Sequence, residues 1–203
     1  MIASVDMYTP PHFAVTDRSR LLHLIAAHPL ASLVQSTKAG LSANVIPLYW
    51  VDDGSELGVL RGHVARKNPL WQEADSAILA LFQAGNGYVS PSFYPSKASD
   101  PRVVPTWNYA LVQIKGALRA MDDAAEVRAI VSHMTAQHEA GRERPWHLDE
   151  APADFMQKML AAIVGIEIKI EQISGKFKLS QNQSAENQAG IAAQLAAPWA
   201  VAR

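Results

Sequence analysis

LSANVIPLYWVDDGSELGVLRGHV, residues 41–64, is the stretch that decides the fold class. Leu41 to Trp50 and Glu56 to Val64 are runs rich in β-branched and aromatic residues. Between them stands Asp52-Asp53-Gly54-Ser55. An Asp-Gly pair tolerates the positive φ angles of a tight turn, so the two runs read as hairpin partners and hence as antiparallel strands. Pro47 inside the first run points to an edge position or a bulge, because proline has no N–H to give a neighbouring strand.

The same pattern continues outward. ASLVQS (31–36) and the turn TKAG (37–40) precede the hairpin, and SAILALFQ (76–83) and a long run over 107–120 follow it. Gly85-Asn86-Gly87 reads as a turn, Gly116 as a bulge and Gly175 as a break before KFKLSQN (176–182). The cleanest alternation is Ile166, Ile168 and Ile170 against Glu167, Lys169 and Glu171, a strand with one buried face. Helical spacing is found in four places. Thr16 or Asp17 caps a helix burying Leu21, Leu24, Ile25 and His28, which Pro29 stops; Pro69 opens a short one. Asp122 or Asp123 caps a helix with a stripe of Val127, Ile130, Val131, Met134 and His138, and Pro152 opens another with Phe155, Met159 and Ile163 inward. Residues 187–195 form a weak helix, and the last eight are expected to fray. About six strands with three or four helices describe a mainly β fold with peripheral α-helices. It is an antiparallel barrel, closed or nearly so, in a single domain over 1–203. Residues 7–183 hold the barrel and inserted helices, and 184–203 the C-terminal helix and tail.

Composition narrows the function. Hydrophobic residues make up 49% of the 203, enough for a real core. Lys plus Arg number 18 and Asp plus Glu 19, so a nucleic-acid role would have to rest on a local patch. There is no cysteine, which excludes thiolate catalysis and zinc ribbons and fits a cytoplasmic protein. No signal peptide is visible, and no run of apolar residues is long enough to span a membrane.

Three groups of polar residues could carry chemistry. Arg61, His63, Arg66, Lys67 and Asn68 lie at the end of one strand and the start of a helix, with no acid in sequence before Glu73. They read either as a solvated basic turn or as an anion site, since phosphates and carboxylates favour convergent, charge-assisted donors. Lys176, Lys178, Ser180, Gln181 and Asn182 form a second acid-free donor set. The third is the excursion YVSPSFYPSKASDPRVVPTWNY (88–109), with five aromatics and four prolines. It reads either as a flap over a sheet edge or as a wall for a planar ligand. Aromatics and amides for a flat heterocycle, with cations for its phosphate, would join the three. No nucleophile elbow, GxGxxG or acid/base carboxylate pair occurs, so whether the chain is an enzyme stays open.

MYTPPHFAVTDR, LRGHVARKNPLW, YVSPSFYP with VPTWNYALVQIKG, HEAGRERPW, APADF with IVGIEI, and GKFKLSQN occur in that order. Together they resemble the PaiB-type family, described as FMN-binding negative transcriptional regulators, over about residues 7–195. The resemblance implies an FMN-binding split barrel, related in fold to pyridoxamine-phosphate oxidase and homodimeric, with flavin at the dimer interface. It implies that Arg66 and Lys67 are the principal phosphate ligands within His63 to Asn68, and that Asn44 to Pro47 passes the isoalloxazine ring. Trp107, Asn108 and Tyr109 would lie near the interface or the ring, and Lys178, Ser180 and Gln181 at the interface or site. A regulator could act on DNA directly or through a partner, but the helix over 122–140 carries only Arg128 as a cation along most of its length. The alternative is a flavin-dependent oxidoreductase of unknown substrate, the hydride chemistry being the flavin's own.

Overall fold

A computed structural model describes residues 7–38, 40–73 and 77–195. Ala39 of the expected 37–40 turn, Ser76 at the expected start of a strand, and the expected frayed tail 196–203 lie outside the described residues. The strands are β1 (Ala14–Val15), β2 (Leu30–Thr37), β3 (Gly40–Val51), β4 (Val59–Ala65), β5 (Ala77–Val89), β6 (Thr106–Met121) and β7 (Ile163–Lys178). The helices are α1 (Arg18–Ala27), α2 (Ala124–Glu139), α3 (Ala153–Ala161) and α4 (Ala185–Gln194). The strands are hydrogen-bonded in the order β1-β7-β4-β3-β2-β5-β6, and β7 also pairs with β6. The pairs β1–β7, β2–β3, β3–β4 and β4–β7 are antiparallel. This is an antiparallel split β-barrel with few helices.

The described residues fall into two compact units. One takes in residues of Pro29–Ala80 and Ile114–Ile173. Its core face carries Leu48 from β3, Leu60 and Val64 from β4, and Val164, Ile166 and Ile168 from β7, all nearly sealed from solvent. Leu60 stands opposite Ile168 and Val64 opposite Val164, so branched side chains stack across the pairing. The outer face bears Tyr49, which packs with Met121, Ile130 and Met134 under α2. Asp123 caps α2 by accepting from the backbone N–H groups of Ala125 and Glu126.

Three local expectations change here. β3 has neighbours on both sides, β2 and β4, but Pro47 itself is paired with β2 alone. It is tolerated because β3 changes partner there: Pro47 is the last residue paired with β2 and Leu48 the first paired with β4. On α3, Met156 is buried while Phe155 and Met159 point outward at 49% and 45% exposure. The spacing identified the helix but placed its inner face one position off. On α2 the stripe holds for Val127, Ile130 and Met134, whereas His138 is exposed.

The other unit takes in residues of Met1–His28, Leu81–Gln113 and Ser174–Arg203. Asp17 caps α1, and Leu21, Leu24 and Ile25 are buried. Gly85-Asn86-Gly87 continues β5 instead of turning, and Gly175 lies within β7 instead of ending it. The excursion is residues 90–105 and contains two short 3-10 turns, Pro91–Phe93 and Pro95–Ala98. Val89, Tyr94 and Ile191 form a buried cluster that joins it to α4. A Cβ on Gly190 would stand 2.3 Å from the Phe93 carbonyl oxygen, so only glycine lets α4 approach this closely.

Candidate functional site

The first group of candidate residues gathers where β4 runs into the 3-10 turn Pro69–Gln72. Asn68 caps that turn, its Oδ1 accepting from Leu70 N at 3.0 Å. Its amide nitrogen donates to Asn44 Oδ1 on β3 at 2.8 Å, although 24 residues separate the two in sequence. The pair leaves the Asn44 amide nitrogen and one Asn68 amide hydrogen without a protein acceptor among the described residues. A cavity of about 380 Å³ is walled by Asn44, Val45, Ile46, Pro47, His63, Val64, Ala65, Asn68 and Ile163. A second, of about 420 Å³, shares Asn44 and Asn68 and reaches Gln35, Thr37 and Glu73. Both volumes suit a small organic ligand.

His63 lines the first cavity, and its buried Nδ1 has no hydrogen-bond partner among the described residues. Burial holds the His63 imidazole below its usual range, so the ring is neutral at neutral pH. Lys67 is exposed on the same turn, with no ion-pair partner among the described residues.

The two arginines are placed differently from what the sequence suggests. Arg66 donates to both carboxylate oxygens of Asp122, at 2.9 and 2.6 Å, and to the carbonyls of Ala161 at 2.8 Å and Ile163 at 3.0 Å. It braces the turn against the ends of β6 and α3. Arg61 faces Glu167 across the β4–β7 pairing and binds it at 2.8 Å, and Arg119 holds the other Glu167 oxygen. The donor cluster that looks acid-free along the chain therefore has two acids in space. Sheet register and helix docking bring Glu167 and Asp122 across 106 and 56 residues, and no local signal announces either.

The second group of candidates lies wholly in the other unit. Lys178 Nζ donates to the Trp107 carbonyl at 2.7 Å and to the Thr106 hydroxyl. Ser180 Oγ donates to the buried Asn108 Oδ1 at 2.8 Å. Gln181 accepts from Leu179 N at 2.7 Å and donates to the carbonyls of His12 and Phe177. Lys176 lies 5.7 Å from the Tyr109 ring centre, and Trp107 meets Tyr88 edge to face at 5.6 Å. Thr106, a polar residue of the 88–109 excursion, joins this group through the Lys178 ammonium.

Among the described residues no metal-ligating cluster is present, and no helix is long and apolar enough to cross a membrane. Residues 7–172 match the family described as "Putative FMN-binding domain". The chain is 30% identical to the protease synthase and sporulation protein PAI 2 of Bacillus subtilis, over 93% of this chain and 89% of that one. It is 30% identical to an uncharacterized protein of Emericella nidulans, over 91% and 88%. In fold it is similar to the FAD and heme binding protein from Mycobacterium smegmatis, with a TM-score of 0.63, 20% identity and 87% and 78% of the two chains covered. It is also similar to the flavocytochrome Anf3 from Azotobacter vinelandii, with a TM-score of 0.55, 16% identity and 81% and 69% covered.

Proposed function

Since the chain belongs to this FMN-binding domain family, we propose that it binds FMN at the junction of β4 with the turn Pro69–Gln72. Lys67 and the free amide hydrogens of Asn44 and Asn68 would hold the phosphate, and Arg66 would brace the turn from behind through Asp122. The observation that carries this reading is the 380 Å³ cavity walled by Asn44, His63 and Asn68, where the Asn44–Asn68 pair leaves amide hydrogens unspent. The cavity wall supplies amide donors and the adjacent Lys67 one cation, the donor types that a phosphate monoester takes. Bound flavin supplies hydride chemistry, and the chain supplies binding and orientation.

The same reading makes the protein a homodimer. The outer face of β2 and β3 presents Leu30, Ser32, Val34 and Ser36 beside Leu41, Ala43, Val45 and Pro47, without one charged side chain. Leu30, Leu41 and Val45 are 61%, 81% and 66% exposed. An uncharged apolar patch of that kind marks a protein contact, and a second copy is the proposed occupant. A regulatory role would then run through flavin occupancy or a protein partner, because the balanced charge gives little electrostatic grip on DNA.

Fluorescence titration of FMN, with riboflavin alongside, tests the site. FMN should be quenched saturably and bind tighter than riboflavin. Unchanged FMN emission, or equal affinity for the two, would overturn the phosphate assignment.

A further inference from the structure

The unit that holds β1 and α4 contains a small cavity, of about 190 Å³, outside the proposed flavin site. It is walled by Tyr94, Val104, Pro105, Thr106, Lys178, Ser180, Asn182 and Gln183, none of them acidic. The volume is below the range that takes a flavin-sized ligand. Lys178 is part-buried; its ammonium donates only to neutral oxygens, those of Thr106 and Trp107, and lies 5.9 Å from the Phe13 ring centre. Lys176 comes close enough to repel it, and itself reaches only the Tyr8 carbonyl and two aromatic rings. Neither lysine has a carboxylate partner among the described residues. A part-buried ammonium without a counter-charge is an unfavourable arrangement that an anion would relieve.

Ser180 adds an independent observation. Its φ is +63°, the left-handed region, and it is the one non-glycine residue with positive φ among the described residues. Glycine would adopt this conformation at no steric cost. Serine places a hydroxyl here instead, on the cavity wall and bonded to the buried Asn108. Strain of this kind is maintained by surrounding structure and gathers at ligand sites.

We propose that this cavity binds a short-chain carboxylate, with the carboxylate on the remaining N–H of Lys178, Ser180 shaping the wall through its bond to Asn108, and the acyl tail against Tyr94 and Pro105. Asn182 and Gln183 supply further amide donors at the wall. The proposal goes beyond the flavin reading and is independent of it, since every residue it uses lies outside the β4 cavity.

The test is amide chemical-shift mapping of the full chain titrated with propionate and, separately, with inorganic phosphate. Saturable propionate shifts should cluster at Thr106, Lys178 and Ser180. Lys178→Met should weaken binding at least ten-fold, and Ser180→Gly, which keeps the backbone geometry, should weaken it several-fold. FMN titration of both variants should match the unaltered protein. Absence of saturable propionate shifts, saturation by phosphate alone, or unaltered affinity in both variants overturns the proposal. Joint loss of FMN and propionate binding in folded Lys178→Met overturns the separation of the two sites.

Discussion

Arg66 and Asp122 are joined by two parallel hydrogen bonds of 2.6 and 2.9 Å, guanidinium to carboxylate, across 56 residues of sequence. The same guanidinium closes on the carbonyls of Ala161 and Ile163. One side chain thus ties the turn beside the candidate flavin site to the residue before the α2 cap and to the start of β7. Both partners are about half exposed, so the pair is open to screening by salt.

Asp122→Asn should lower the denaturation midpoint at pH 7 by a margin that shrinks with added salt. The hydrogen bonds from Arg66 hold the Asp122 carboxyl below its usual range. The pair's contribution is therefore complete above the ordinary aspartate value of about 3.9 and is lost as pH falls through the depressed value. Urea melts of both proteins between pH 7 and pH 2 check this. A difference between them that stays constant over the whole range refutes it.

Lys67→Ala should weaken FMN by about 1.5–3 kcal/mol, the worth of a hydrogen bond to a charged group. Riboflavin should be nearly indifferent to the change. Arg66→Ala should act mainly on the turn, weakening both ligands alike and lowering the melting temperature. Paired fluorescence titrations and a thermal melt separate the two behaviours.

His63 provides a second pH dependence. Burial holds its imidazole below the usual value of about 6.5, so the unfolded chain binds a proton that the folded chain resists. Stability should fall as pH drops from about 6.5 through the depressed value, and be unaffected by this group above that window. His63→Gln should flatten the slope there. An equal slope in the variant would assign the effect to other groups.

Val45→Glu and Leu41→Glu place a charge on the apolar outer face of β2 and β3. Light scattering after size exclusion should report a dimer for the unaltered protein and a monomer for either variant, with the circular dichroism unchanged. A monomeric unaltered protein removes the dimer from the proposal.

Gly116→Ala should be strongly destabilising. A Cβ there would sit 2.1 Å from the Lys169 carbonyl oxygen and 3.0 Å from Ile168 Cγ2. Forcing β6 away from β7 should cost about 1–3 kcal/mol or more, the range for overpacking. Equilibrium unfolding in urea measures it.

Much of the fold could be read along the chain because its signals are local. The Asp52–Ser55 turn and the alternation from Ile166 to Glu171 name strands without any knowledge of what they touch. The cap at Asp17 falls where helix-start chemistry puts it. Local signals failed where two requirements compete. Glycines at 85, 87 and 175 suggest turns, yet lie inside β5 and β7. At Gly175 a Cβ would meet Leu21 at 2.3 Å, so this glycine serves close packing and not chain reversal. Phe155 and Met159 of α3 are large and apolar yet face outward, because helical spacing gives a face and not the direction of the core.

By itself the sequence determined the donor-rich turn from His63 to Asn68, the second donor set from Lys176 to Asn182, and the strands that carry them. Backbone propensity and turn chemistry act over a few residues, and that is all a linear pattern encodes. The tertiary structure alone decided which donors are already engaged. Glu167 reached Arg61 through strand register, Asp122 reached Arg66 through the placement of α2, and Lys67 and Lys178 were left without an acid among the described residues. Charge pairing depends on distance in space, and distances across 56 or 106 residues exist only once the chain has folded.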